Sequence, residues 1–236
     1  MQRTLLDELT AALGAGRAVV WASRPSTGSE VLLRPLDPDE AVERTSGGQP
    51  WPVDDARRAL LEDRSFSVET SEGEVFLRPY NPPVRVVVVG AVHAAQPLVR
   101  MVRITGYRPV VVDPRTAFAT AERFPGTRLV TTWPAEALEM LAPDHRTAVV
   151  TLTHDPKLDD PALTAALATP AFYVGALGSS RTHRRRLERL GDEGVSDEAL
   201  ARIHAPVGLD IGARTPEEIA VAILAQIVER LRTPPS

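Results

Sequence analysis

Two glycine-bearing junctions carry the groups best suited to holding an anion. Gly90-Ala91-Val92-His93-Ala94-Ala95 follows the β-branched run Val86–Val89 and precedes a helical pattern. Amides and the dipole at such a helix start attract phosphate, so Gly90, Val92 and His93 are candidate cofactor contacts. Gly90 and Ala95 fill the first and third small positions of a dinucleotide-binding turn. Val92 occupies the second, where a side chain obstructs close approach of a pyrophosphate. Asp113 closes the next strand about 20 residues on, where an acid can bind ribose hydroxyls, and Arg115 can meet a phosphate. The second junction is Gly175-Ala176-Leu177-Gly178-Ser179-Ser180-Arg181. Gly175, Gly178, the candidate cap Ser179 and the adjacent Arg181 can face a ligand there. The arginines behind it, Arg185, Arg186 and Arg189, read as a solvated face balanced by nearby acids.

Two further segments qualify. Thr153-His154-Asp155 ends another strand, where His154 and Asp155 can hydrogen-bond a polar ligand or relay protons. Pro206–Glu218 places Asp210 between Gly208 and Gly212 just before a capped helix, making Asp210 and Gly212 candidates as well. The five histidines show no paired metal spacing. Neither a G-x-S-x-G elbow nor a phosphate-binding G-x-x-x-x-G-K-[ST] loop is present. No catalytic set and no metal-ligating set emerges.

The elements that must position these residues alternate in type. From Val84 onward, apolar strand-like runs recur at Val86–Val89, Val110–Val112, Arg128–Thr131, Ala148–Thr151 and Phe172–Val174. Helical spacing is expected between them, at about Gln96–Ile104, Pro134–Leu141, Pro161–Ala168 and Arg181–Leu190, with a last helix at about Pro216–Leu231. Asp160-Pro161 and Thr215-Pro216 read as helix starts, each a capping residue followed by proline. Such alternation predicts an α/β fold, a Rossmann-like doubly wound parallel sheet over residues 84–236. Residues 1–80 predict a small mixed α+β domain. It opens on an amphipathic helix and holds short strands at Ala18–Ala22, Glu30–Leu33, Phe66–Thr70 and Glu74–Leu77, with a helix at about Asp54–Asp63. Asn81-Pro82-Pro83 is a stiff connector, because each proline fixes φ and restricts its predecessor.

Composition narrows the class. The chain has 236 residues, 43% hydrophobic and 25% charged, with 31 acids against 27 bases and a formal charge of −4. That balance lacks the basic excess of a general nucleic-acid binder. No apolar run approaches the ~20 residues of a membrane helix, and Asp7 and Glu8 interrupt the first leucines, unlike a secretory signal. A cytoplasmic protein is expected. There is no cysteine, so no disulfide, thiolate ligand or protein-borne persulfide can form on these residues.

Taken together, these segments resemble the XdhC/CoxI family, the xanthine dehydrogenase accessory factors. The similarity runs through Glu74–Pro83, Gly90–Gln96 (family form G-A-G-H-V-A-Q), Val111–Arg115, Glu122–Pro125, Thr153–Pro161, Tyr173–His183 and Ile203–Ile219. The stretch Gly208–Ile219 is the most specific. The resemblance implies a two-domain maturation factor that binds molybdenum cofactor (molybdopterin) and helps insert it into a xanthine dehydrogenase- or CO dehydrogenase-type molybdenum hydroxylase. It also implies partnership with that apo-enzyme and often with a cysteine desulfurase, and a homodimer is compatible with it. The first 80 residues are divergent. Where the family carries Ser-Gly-Gly-Cys, this chain has Ser46-Gly47-Gly48-Gln49, and Gln49 can neither ligate molybdenum as a thiolate nor carry sulfur. Two other readings stay open: an NAD(P)-binding oxidoreductase using the same crevice, and a scaffold paralogue that only docks a partner.

Overall fold

The computed structural model describes residues 3–37 and 50–233. Ser46–Gln49 therefore lies outside the described residues. The chain divides into two compact units, Met1–Pro82 and Pro83–Ser236.

The first unit is a four-stranded antiparallel sheet in the order β2-β1-β4-β3. Its strands are β1 (Val19–Arg24), β2 (Ser29–Leu33), β3 (Phe66–Thr70) and β4 (Gly73–Tyr80). Alternation along β1 and β2 supplies two faces. Val20, Ala22 and Leu33 join Ala56 and Leu60 of α2 (Val53–Glu62). Val19 and Leu32 meet Leu9 and Ala12 of α1 (Arg3–Gly14) on the other side.

The second unit is built on β5 (Arg85–Val89), whose four consecutive valines are fully buried. Side chains alternate across a strand, so Val86 and Val88 enter one core while Val87 and Val89 enter another. Each burial contributes about 1.5–3 kcal/mol, which makes this strand the spine of the fold. The first face is covered by α3 (Ala95–Ile104) and α8 (Pro216–Arg232), the second by α4 (Pro134–Leu141) and α5 (Pro156–Leu167). The remaining strands are β6 (Arg108–Val112), β7 (Arg128–Val130), β8 (Thr147–Thr151), β9 (Tyr173–Ala176) and β10 (Ile203–His204). All pairings are parallel, and the sheet order is β10-β9-β8-β5-β6-β7. That is the Rossmann order, with its reversal point between β5 and β8.

Two local readings change. α5 begins at Pro156, not Pro161: the Asp155 side chain caps it by accepting from the Lys157 amide at 3.0 Å. Asp155-Pro156 carries the same cap-then-proline signature as Asp160-Pro161, and tertiary structure uses the earlier one. Pro161 then lies inside the helix, and Asp160 is 5% exposed. The short α7 (Asp197–Leu200) and β10 have no periodic signal of their own, because β10 is defined by pairing Ile203 and His204 with Val174 and Gly175. α6 (Ser180–Asp192) completes the set.

Candidate functional site

The parallel sheet gathers every segment singled out above at its carboxyl edge, where α/β folds hold ligands. Gly90 follows β5, Asp113 follows β6, Thr153–Asp155 follow β8, Leu177–Arg181 follow β9 and Pro206–Gly212 follow β10.

At the reversal point Gly90 has φ +108°. A Cβ there would sit 2.6 Å from Thr153 Cγ2, so glycine is demanded both by conformation and by the neighbouring strand. The turn beyond it is held from one side. Asp113, fully buried, accepts the Ala91 amide on Oδ2 at 2.8 Å and the Arg115 amide on Oδ1 at 2.9 Å. The Arg115 guanidinium closes a fork on the same carboxylate at 2.9 and 2.8 Å. Burial pushes the Asp113 carboxyl up, but these bonds outweigh it and hold the group below the ordinary carboxylate range. Asp113 is thus committed to shaping the turn. Among the described residues, no group accepts from the Val92, His93 or Ala94 amides. His93 is exposed, and Val92 is half-buried with its side chain packed against the core.

The second glycine junction is built differently. Gly175 is required by packing, since a Cβ would meet Tyr173 and Val207 at 2.7 Å. Gly178 has φ +141°, and a Cβ there would meet the Thr182 side chain at 3.3 Å. Ser179 caps α6 by accepting from the Thr182 amide at 3.2 Å. Arg181 is exposed and makes no ion pair among the described residues.

Arg186 corrects the solvated-face expectation, whereas Arg189 keeps a 40% exposed side chain balanced by an acid. Arg186 is 2% exposed, lies 3.8 Å from Asp159 Oδ2 and 3.9 Å from Asp160 Oδ1, and donates to the Leu177 carbonyl at 3.0 Å. Arg189 binds Asp160 at 2.7 Å. Asp159 in turn accepts from Thr153 Oγ1 at 2.7 Å and from the His154 amide at 3.1 Å, in a loop where exposed His154 has φ +62°. Burial drives the Asp159 carboxyl above its ordinary range against those bonds and the Arg186 charge. Sequence reasoning missed the burial of Arg186 between these two aspartates. The signal available was Asp159-Asp160 facing an arginine-rich helix, which needs tertiary pairing to interpret.

A cleft of about 440 Å³ lies between the β9–α6 junction and the loop after β10. Leu177 and Ser180 line it from one side, and Asp210, Ile211 and Gly212 from the other. The loop is fixed by Val207 N to Ala176 O at 3.2 Å, Gly208 N to Gln226 Oε1 at 2.9 Å and Leu209 N to Ala222 O at 3.1 Å. Among the described residues, no group of His, Cys, Asp and Glu is placed to hold a metal ion. No helix among them is long and apolar enough to cross a membrane.

This strand order, with helix starts and loops gathered at one edge, defines a Rossmann-type domain. Residues 86–227 match the XdhC Rossmann domain, and the chain belongs to the XdhC family. It is 34% identical over 148 residues to the molybdenum cofactor insertion chaperone PaoD of Escherichia coli (strain K12), covering 63% of this chain and 40% of that protein. It is 30% identical over 156 residues to a probable xanthine dehydrogenase subunit of Bacillus subtilis (strain 168), covering 66% and 45%. The chain spans less than half the length of these curated relatives. A crystal structure of a xanthine dehydrogenase from Bacillus halodurans superposes with a TM-score of 0.71 at 26% identity, over 99% of this chain and 66% of that one.

Proposed function

We propose that this chain is an accessory factor that binds molybdenum cofactor and assists its insertion into a xanthine dehydrogenase- or CO dehydrogenase-type hydroxylase. The observation that carries this reading is the reversal-point turn. Among the described residues its Val92–Ala94 amides are free, while Asp113 braces the backbone behind them. Open amides at a helix start suit the phosphate of an organic cofactor. The cofactor class comes from PaoD, the molybdenum cofactor insertion chaperone among the relatives.

The residues present fit the organic part of that group. Amides, the exposed Arg181 and an apolar-walled cleft lie along one edge, across three strand spacings of roughly 14 Å from β5 to β10. With no cysteine, these residues supply no thiolate to the metal. The bound group would bring the redox-active molybdenum that the target enzyme requires. The chain's own work is to bind and orient: Gly90 admits the phosphate, Arg181 attracts it, and Asp113 and Asp159 hold their loops in place. His154, Asp155, Ser179, Asp210 and Gly212 complete the edge. Residues 1–80 form, in this reading, a divergent XdhC/CoxI-type N-terminal domain that precedes the binding domain. The apo-hydroxylase is the partner, with a cysteine desulfurase and a second copy of the chain as further associates in the cytoplasm.

The NAD(P) oxidoreductase reading needs Asp113 for ribose hydroxyls, yet that carboxylate is already engaged by Ala91 and Arg115. Native mass spectrometry of the purified protein with released molybdopterin and, separately, with NAD decides the matter. A molybdopterin adduct, with faster reconstitution of an apo-hydroxylase, is the expected result. An adduct with NAD alone overturns it in favour of the oxidoreductase, and no adduct overturns it in favour of a docking scaffold.

A further inference from the structure

We infer that the cleft beside Asp210 receives a 2-amino-4-oxopyrimidine ring, with the Asp210 carboxylate reading its paired N–H donors. This rests on the cofactor reading above and adds which part of the ligand goes where. The walls are apolar: Leu177, Val207, Leu209, Ile211, Ile219 and Ala222. Asp210 is the carboxylate among the lining residues, and no donor among the described residues engages it. Ile211 is 55% exposed beside it, an apolar surface that a flat ring would cover.

The geometry of the loop keeps this arrangement in place without ligand. Leu209 is tied to Ala222, and Gly208 presses so close to α8 that a Cβ would lie 3.0 Å from the Ala222 methyl. Thr215 caps α8 while Glu218 accepts from the Arg214 and Thr215 amides at 2.7 and 3.0 Å. The backbone of the rim that bears the exposed Asp210 is therefore anchored at both ends, so little loop order has to be gained on binding.

A carboxylate accepts two parallel hydrogen bonds and donates none when ionised. It matches the ring N–H and exocyclic NH₂ of an aminopyrimidinone and repels the ring in which a carbonyl replaces that amine. Pterin and guanine share the matching edge, so both the pterin of the cofactor and the base of a guanine dinucleotide form satisfy the same site. An amide at this position would accept one bond and donate the other, which suits the dioxo ring instead.

The test measures binding of pterin against lumazine, and of GMP against IMP, by fluorescence and calorimetry with the full chain and with Asp210→Asn. Wild type should prefer the amino-bearing member by about tenfold. Where pterin is preferred, Asp210→Asn should reverse the order between pterin and lumazine, and where GMP is preferred it should abolish the advantage over IMP, with unchanged thermal melting in either case. A reversal cannot come from loosening of the loop, which would weaken both rings alike. Preference confined to pterin assigns the cleft to the cofactor ring, and preference confined to GMP over IMP assigns it to the nucleotide base; either supports the inference. Equal binding within both pairs, equal weakening of both members of a pair by Asp210→Asn, or no binding of any of them overturns it. Retention of molybdopterin by wild type in that event leaves the accessory-factor reading standing, and its loss removes both.

Discussion

Arg186, 2% exposed, lies 3.8 Å from Asp159 and donates to the Leu177 carbonyl, so one buried cation ties the loop after β8 to the loop after β9. Both loops face the carboxyl edge of the sheet. Asp159 completes the link through Thr153 and His154.

Removing one partner of a buried pair leaves an uncompensated charge. Arg186→Ala should therefore cost about 3–5 kcal/mol. Arg185→Ala, one residue away and exposed, should stay within about 0.5 kcal/mol. Urea unfolding of the two variants checks this, and comparable midpoints would contradict the burial of Arg186.

Asp113 gives a pH signature. Its folded pKa lies below the unfolded value near 3.9, so its stabilisation is complete above about pH 4 and lost as pH falls through the folded pKa. Asp113→Asn should cost about 2 kcal/mol at pH 7, since charge-assisted bonds from Arg115 and the amides are lost. The gap between the two proteins should close below pH 4. Asp159, with its raised pKa, has the opposite slope but is common to both and cancels. Urea midpoints from pH 7 to pH 3 provide the measurement.

Gly90→Ala meets two separate penalties, the φ of +108° and the contact with Thr153 Cγ2. A cost of about 2 kcal/mol or more is expected. Adding Thr153→Ser removes the methyl and should restore part of that stability, while the backbone component remains. Full restoration by the double variant would mean that conformation plays no part.

Arg181→Ala should weaken molybdopterin binding about tenfold at low salt, because an exposed guanidinium with no ion pair among the described residues adds a charge-assisted bond at the α6 start. The effect should shrink to about threefold or less in 0.5 M salt, where screening is short-ranged. Arg184→Ala serves as the comparison in calorimetry at both salts. Equal losses from the two variants would point to a diffuse basic surface rather than a directed contact.

Much of the frame was legible from local signals. The valine run of β5, the cap-and-proline start of α8 and the span of α4 are set by propensity and capping within a few residues, and the structure places them where those signals lie. The alternation of strand and helix implied the parallel sheet, whose six strands take the Rossmann order. What local signals could not decide is which of two equivalent devices is used. Asp155-Pro156 and Asp160-Pro161 look alike in sequence, but only the former starts a helix, because Asp160 is drawn into the pair with Arg189. Arg186 looks like its exposed neighbours until α6 is packed against α5. Asp113 reads as a ligand-binding acid until the adjacent strand brings the Ala91 amide within 2.8 Å. The cleft at Asp210 exists only because β10 pairs with β9 and sets two distant loops side by side. Periodicity and caps act over one or two turns of chain. Desolvated charge pairs, close glycine contacts and shared clefts depend on groups tens of residues apart, and only the packed fold brings those together.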